Sequence, residues 1–591
     1  MANTSHTFGK LKKIFLRPLQ GGGSFFLFMY LLVLMTLLPV YILLAQTEKV
    51  SWMSFFEAFA DVYLLAWLLS FLPVKPRRVL QGIAAAILLT ATIVDCFVKL
   101  HYHTFTTAPI MRTLFETNPD EASDYWQSVV LQPGTLLMLL PFAAWGAAWW
   151  FYARQTAKLK LQLSPIARRW GITAMSIALV TGLCLSVPLK CKTAYVMRQP
   201  TISDLEVRFG DAARLSYYSP LHRMAMAYRQ IVLTGHKVER LRHTQARLTA
   251  TAGKDAPQKV VLIIGESFNR KHSQLYGYKL PVTPHQMDLQ RRGGMTVMTD
   301  AVSCWNLTSY VLQHILSLYS VDSPHPWEDY PLLPTVYRRA GYRTLLLSSP
   351  YPRRTTGSTS DFSGSFFLYD PIISRQAFDF HNEPLSPKPD DALLLTAYNR
   401  ERRDSTREMV IFTLIGQHMD YRERVPHDSL RKFRAADYAD RPLSPADRQI
   451  LADYDNATLY NDAIVNSLMQ RFADDDAIVI YCPDHGEALF DGPDTWGRTY
   501  PDVMSRAEMH SQFEVPLWIW CSEKFRAKRP ELVARLNQSA GLPFMTDDLP
   551  HLMLSLTDVR CSCYDPTRSP LSPRYNAARK RLLRGKQPYE Y

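Results

Sequence analysis

No C-x-x-C pair occurs among the eight cysteines of this 591-residue chain. A zinc site built on paired thiolates is therefore not expected. Internal repeats and low-complexity tracts are missing too, which argues against a solenoid or a disordered array. A single core does not accommodate 591 residues, so at least two domains are expected. The net charge of +13 suits nucleic acid or an acidic membrane surface. The apolar residues change that reading, because they crowd into the first third of the chain.

Five segments there are apolar over the roughly 20 residues that a bilayer crossing needs. They cover 25–45, 54–74, 79–100, 135–152 and 170–189. The second carries Glu57 and Asp61 and the third Asp95, which weakens those two as spans. Basic residues flank the segments on alternate sides: Lys10, Lys12, Lys13 and Arg17, then Lys75, Arg77 and Arg78, then Arg154, Lys158, Lys160, Arg168 and Arg169. This alternation predicts a cytoplasmic N-terminus and places everything after residue 189 outside the inner membrane. A cleavable signal peptide is not expected, since 25–45 exceeds a usual h-region and more apolar segments follow. Six cysteines, Cys191, Cys304, Cys482, Cys521, Cys561 and Cys563, follow the last segment. An oxidising compartment would permit disulfides among them, with a pairing that one sequence does not reveal.

The chain divides into a helical transmembrane domain (1–190), a bridging segment (191–258) and an α/β domain (259–591). Within the first, the polar loop 101–132 is long for a plain connector. In the bridging segment, "LHRMAMAYRQIVLTGHKVERL" suits either a helix on the membrane surface or a solvated linker helix. From Lys259 onward "KVVLIIGES", "YRTLLLSS", "EMVIFTLIGQH", "AIVIYCPDHGE" and "VPLWIW" read as buried strands. Helical stretches at 334–340 and 452–472 lie between them, so an α/β fold with a mostly parallel sheet is expected. Ligands in such folds gather beyond the carboxyl ends of the strands.

The polar residues collect at those ends. Glu266 follows the first strand, His418 another, Asp484 and His485 a third, and His510 shortly precedes "VPLWIW". Carboxylates and imidazoles without thiolates suit zinc or manganese. A nucleophilic hydroxyl is sought nearby, and Thr308 stands just before an apolar helical pattern in "AVSCWNLTSYVLQHILSLYS". One reading makes Thr308 a helix cap. The other makes it a nucleophile at a helix N-terminus, where free N–H groups and the dipole favour a phosphate. In "YDNATLYND", Asp455, Leu459 and Asp462 share one helical face, read as support beneath the site. The basic run "RYNAARKRLLRGK" reads as a solvated tail or an anion-attracting one.

From "IIGES" to "YDPTRS" the chain resembles the alkaline phosphatase/sulfatase superfamily, and within it the bacterial phosphoethanolamine transferases that modify lipopolysaccharide. The matching text is "GESFNRKHSQLYGY", "GQHMDYRERVP", "YDNATLYNDAIV", "PDHGEALFD" and, in the loop, "FETNPDEAS". The resemblance implies five spans in the inner membrane of a Gram-negative bacterium, with the catalytic domain in the periplasm. It implies Zn2+ held by Glu266, Thr308, Asp484 and His485, with Mn2+ as an alternative and Thr308 as nucleophile. His418 and His510 would hold the phosphoryl group or a second metal, and Thr117 and Glu121 the donor head group. Phosphatidylethanolamine would be the donor and lipopolysaccharide (core or lipid A) the acceptor, through a covalent threonine intermediate. Nucleic acid is not an expected partner. Some members have Asn where this chain has Thr113. Cys304 with Trp305 stands near the place of the sulfatases' modified cysteine, but the Pro and Arg those enzymes need after it are absent, as Asn306 and Leu307 show, which disfavours sulfatase activity. The rival expectations are a phosphoglycerol transferase, against which the "FETNPDEAS" loop argues, and a catalytically dead envelope protein, against which the intact ligand set argues.

Overall fold

The computed structural model describes residues 23–43, 53–102, 133–155, 165–211, 215–349, 366–382, 390–404, 406–499 and 503–590, together with Pro18, Thr106, Met111 and Pro501. The chain clusters into two compact units, Met1–Gly235 with Arg353–Phe362, and His236–Pro352 with Ser363–Tyr591.

In the first unit every apolar segment is helical: α1 (Gly23–Leu43), α2 (Met53–Leu69), α3 (Val74–Tyr102), α4 (Pro133–Gln155) and α5 (Pro165–Met197). Three stretches are long and apolar enough to cross a bilayer: Val74–Leu100, Pro133–Phe151 and Trp170–Met197. Among the described residues the expected count of five spans is thereby corrected to three. Helix α2 has only 17 residues and carries two carboxylates, and the described apolar stretch of α1, Phe25–Met35, is short. The acidic residues inside these helices are paired, which offsets the cost of removing them from water. Arg223 is fully buried against Asp95 at 2.7 Å. Asp61 accepts from Lys190 at 2.7 Å and from the Tyr218 hydroxyl at 2.6 Å, and Glu57 accepts from the Ser216 hydroxyl. The bridging segment contributes the helix Pro220–Arg247, which exposes Leu221, Tyr228 and Val232.

The second unit is built on a seven-stranded sheet. Its strands are β1 (Lys259–Gly265), β2 (Met295–Met298), β3 (Arg343–Ser348), β4 (Phe380–His381), β5 (Glu408–Thr413), β6 (Ala477–Pro483) and β7 (Leu517–Cys521), in the order β2-β7-β6-β1-β5-β3-β4. The expectation of a mostly parallel sheet is corrected to a mixed one. Strands β6, β1, β5, β3 and β4 pair in parallel, whereas β7 runs antiparallel to both β6 and β2. Alternation along the central strands explains their unbroken apolar sequence. Val260, Leu262 and Ile264 join one core cluster and Val261 and Ile263 the other, with Ile478 and Ile480 opposed to Val479 and Tyr481 in the same way. A strand covered on both faces has no solvent side to mark with polar residues.

Helix α7 (Pro445–Gln470) lies beyond α6 (Thr308–Ile315) in the chain and bears the acidic pair singled out in the sequence. Asp462 accepts from the backbone N–H groups of His285 and Gln286. Asp455 lies 2.8 Å from His272 Nδ1 and accepts from the hydroxyls of Tyr278 and Tyr438, while His272 Nε2 lies 2.9 Å from Asp491. Burial works against a charge on His272, but Asp455 and then Asp491 outweigh it, raising its pKa from 6.5 to about 9. A group raised in the folded state contributes stability fully below its unfolded pKa and loses it as pH rises towards the folded one. Thermal melts of the full chain and of His272→Gln should therefore differ most near pH 6 and converge between pH 6.5 and about 9. A difference that grows over that window would contradict the charged pairing.

All eight cysteines are free thiols. The C-terminal basic run is not a loose tail. Arg579 bridges Asp322, Asp547 and Asp548, Arg581 pairs with Asp300, and Arg584 donates to Asn306 Oδ1.

Candidate active site

Strand register builds the site. Gly265 pairs with Pro483, so the next residues, Glu266 and Asp484, leave neighbouring strands side by side. The Asp484 N–H donates to the Gly265 carbonyl at 3.0 Å, and Asp484 Oδ1 accepts from the N–H groups of Ser267 and His485. Ser267 is held at φ 55°, an unfavourable conformation for a residue with a side chain. The Tyr454 hydroxyl fixes it by donating to the Ser267 carbonyl and accepting from the Asn269 N–H. Helix α7 thus braces the turn that carries Glu266. On the other side of that turn Gly416, at φ +43°, packs so closely that a Cβ would lie 3.1 Å from the Glu266 backbone.

Asp484, His485 and Glu266 are buried, and each offers one ligand atom within 4.8 Å of the others. His485 Nδ1 lies 2.8 Å from the Gly486 carbonyl, which turns Nε2 towards the carboxylates. Nε2 stands 3.1 Å from Asp484 Oδ2 and 3.5 Å from Glu266 Oε1. Burial and then the neighbouring Asp484 charge push the Glu266 carboxyl up to about 7. Burial also penalises Asp484, but the His485 charge and hydrogen bonds outweigh it and hold Asp484 low.

Thr308 completes the group. It is the first residue of α6, whose cap is Leu307, and no side chain caps that helix. The capping expectation is therefore replaced. Thr308 Oγ1 donates to Glu266 Oε2 at 3.1 Å and lies 3.4 Å from His485 Nε2. Thr308 is half-buried.

These donors fit a divalent cation. Among the described residues the buried Asp484 Oδ2 accepts no well-aligned hydrogen bond, and two buried carboxylates, an imidazole nitrogen and a hydroxyl face one point. A cation there would relieve the repulsion that raises Glu266.

The other expected residues fare differently. His418 is half-buried in the turn after β5, next to Gln417, whose N–H donates to the Glu266 carbonyl. His510 is not brought into the group. It lies on helix Arg506–Phe513 with Nδ1 3.1 Å from Glu514 and Nε2 3.0 Å from the Glu590 carbonyl. Thr117, Glu121 and Thr113 lie outside the described residues. Sequence reasoning missed Arg498, whose Nη1 comes within 2.8 Å of His485 Nε2, and Asn306, which bonds Gln512 and Thr499. Neither stands in a periodic pattern; only its chain distance from "PDHGE" could have flagged Arg498.

The sulfatase family profile matches residues 258–559, just over half of the 591 residues. The profile for phosphoethanolamine transferase EptA/EptB matches residues 62–201. Phosphoethanolamine transferase EptC of Escherichia coli K12 is 25% identical over 524 residues, covering 86% of this chain and 85% of that protein. Phosphoethanolamine transferase CptA of Salmonella typhimurium is 25% identical over 511 residues, covering 84% and 83%. The crystal structure of the C-terminal periplasmic domain of EptC from Escherichia coli in complex with Zn aligns with a TM-score of 0.49 and 26% identity, over 56% of this chain and 91% of that one. With one profile spanning most of the second unit and the other reaching across the helical first, the chain belongs to the sulfatase family, as one of its phosphoethanolamine transferases.

Proposed function

We propose that this enzyme moves phosphoethanolamine from phosphatidylethanolamine to lipopolysaccharide through a covalent intermediate on Thr308. One observation carries the reading: the Thr308 hydroxyl points at Glu266 and His485 from a helix N-terminus that it does not cap. The relatives' names supply the transferred group, and the apolar helices fit a lipid donor.

Glu266, Asp484, His485 and Thr308 would hold a zinc ion. Such an ion, when bound, lowers the pKa of a coordinated hydroxyl and neutralises phosphoryl oxygens. The remaining work belongs to the chain. Thr308 Oγ1 attacks the phosphorus of the donor, and the bond to the diacylglycerol oxygen breaks. The hydroxyl proton is already aimed at Glu266 Oε2, and the leaving diacylglycerol oxygen takes up a proton. An acceptor hydroxyl oxygen then attacks phosphorus, the Thr308 Oγ1–phosphorus bond breaks, and the proton lost by the acceptor restores the Thr308 hydroxyl. The free N–H groups of α6 favour the anionic group on Thr308. In this reading the second unit lies on the periplasmic side of the inner membrane. Thr117 and Glu121 contact the ethanolamine, and His418 faces the phosphoryl group.

The test supplies the detergent-solubilised full chain with phosphatidylethanolamine labelled in its head group, or with labelled phosphatidylglycerol. Label from the first alone should appear on the peptide containing Thr308. Label from phosphatidylglycerol would make the enzyme a phosphoglycerol transferase, and label on another residue would remove Thr308 from its role.

A further inference from the structure

Arg498 is placed with unusual care for a residue in a loop. The short hairpin of Ala488–Leu489 with Trp496–Gly497 leads into it, and Gly497 takes φ +90°, which favours glycine. Trp496 packs edge-on against Tyr421, whose hydroxyl donates to Glu487 Oε1 at 2.7 Å. Just beyond Arg498, the Thr499 carbonyl accepts from Asn306 Nδ2 and from Arg584. The backbone on both sides of Arg498 is therefore tied down. Its guanidinium, about nine-tenths buried, has Nε 3.5 Å from Glu487 Oε2. Nη1 lies 3.4 Å from the carbonyl of Asn306, two residues before Thr308, and 2.8 Å from His485 Nε2.

That last contact is the informative one. His485 Nε2 is the nitrogen this side chain offers to the metal group, and it cannot serve a cation and accept from Arg498 together. Arg579 shows the contrasting arrangement: its guanidinium is shared among Asp322, Asp547 and Asp548 and is fully committed to structure. Arg498 rests Nη1 on an imidazole whose lone pair the catalytic form uses, within reach of the Thr308 segment. His510, expected to hold the phosphoryl group or a second metal, is turned towards Glu514.

We infer that Arg498 is a catalytic residue whose guanidinium binds the non-bridging oxygens of the phosphoryl group being passed to and from Thr308. This deepens the transfer reading given above and rests on it. The planar fork of an arginine matches two phosphoryl oxygens, and charge neutralisation is what phosphoryl transfer mainly asks of a protein. Glu487, braced by Tyr421, orients the guanidinium.

The experiment compares wild type, Arg498→Ala and Arg498→Lys as zinc-loaded full chains. Zinc content, melting temperature, steady-state transfer and competition by inorganic phosphate are all measured. Arg498→Ala should keep its zinc and its melting temperature. It should lose roughly 100- to 1,000-fold in kcat with little change in KM, and become insensitive to phosphate. Arg498→Lys should recover about tenfold of that loss, and added guanidinium ion should partly rescue Arg498→Ala. The inference is overturned if Arg498→Ala, with zinc intact, stays within about threefold of wild type. It is also overturned if both variants lose zinc together, which would make Arg498 a support for His485. Failure of wild type to label Thr308 would instead strike the transfer reading itself, so the two are told apart.

Discussion

Thr308→Ala is expected to lose phosphoethanolamine transfer by roughly 10,000-fold, about 5 kcal/mol in barrier height, while keeping its fold. The loss is large because the hydroxyl is the attacking atom of the proposed mechanism and a member of the polar group formed with Glu266 and His485. The fold survives because Leu307 occupies the cap position and the Thr308 side chain caps nothing. Replacing a threonine by alanine in the first turn changes helix stability by well under about 1 kcal/mol. Thr308→Ser keeps an oxygen at the same distance from Cα and should retain activity within about tenfold. Intact-mass measurement of the chain after a brief exposure to donor checks both variants. An adduct in wild type and Thr308→Ser but none in Thr308→Ala is the expected pattern. An adduct of equal yield in Thr308→Ala would remove the threonine from the chemistry.

The sequence spoke most clearly where backbone and burial act together. Strands β1 and β6 are buried on both faces, so their apolar runs end abruptly, and the first charged residues after them had to lie at one sheet edge. Glu266 and Asp484 follow from that rule and from the register of Gly265 with Pro483. Strand direction was not legible. "VPLWIW" has the composition of any buried strand, and only the structure shows β7 running against its neighbours, which brings its first residue to the site edge. Thr308 was legible as a residue at a helix start, but residue type alone left cap and nucleophile open, because capping and catalysis ask for the same residue type at the same place. His510 was chosen for its chemistry, whereas the side chain that reaches His485 belongs to Arg498, in a stretch without period. Among the described residues fewer stretches qualify as spans than expected, for a similar reason. Apolar composition marks α2 as a membrane helix, but Glu57 and Asp61 are there to meet Ser216, Tyr218 and Lys190, partners distant in sequence.

Asp484→Asn should abolish metal binding at equimolar zinc and lower transfer by about 1,000-fold, and treating the wild-type enzyme with a chelator should have the same effect until zinc is restored. Asparagine preserves the shape and one carbonyl oxygen, so the N–H groups of Ser267 and His485 keep an acceptor and the turn survives. What disappears is the charge, together with the buried Oδ2 that accepts no well-aligned hydrogen bond among the described residues. In wild type, burial and the Asp484 charge raise Glu266 to about 7, so near neutral pH part of the metal-free protein carries a proton there that zinc must displace. Wild-type zinc affinity should accordingly rise with pH up to about 7, and calorimetry in buffers of different ionisation enthalpy should register proton release below it. Zinc affinity unchanged in Asp484→Asn would place the ion elsewhere. A wild-type affinity that stays flat between pH 6 and 7, with no proton release, would mean that Glu266 is already ionised without the metal.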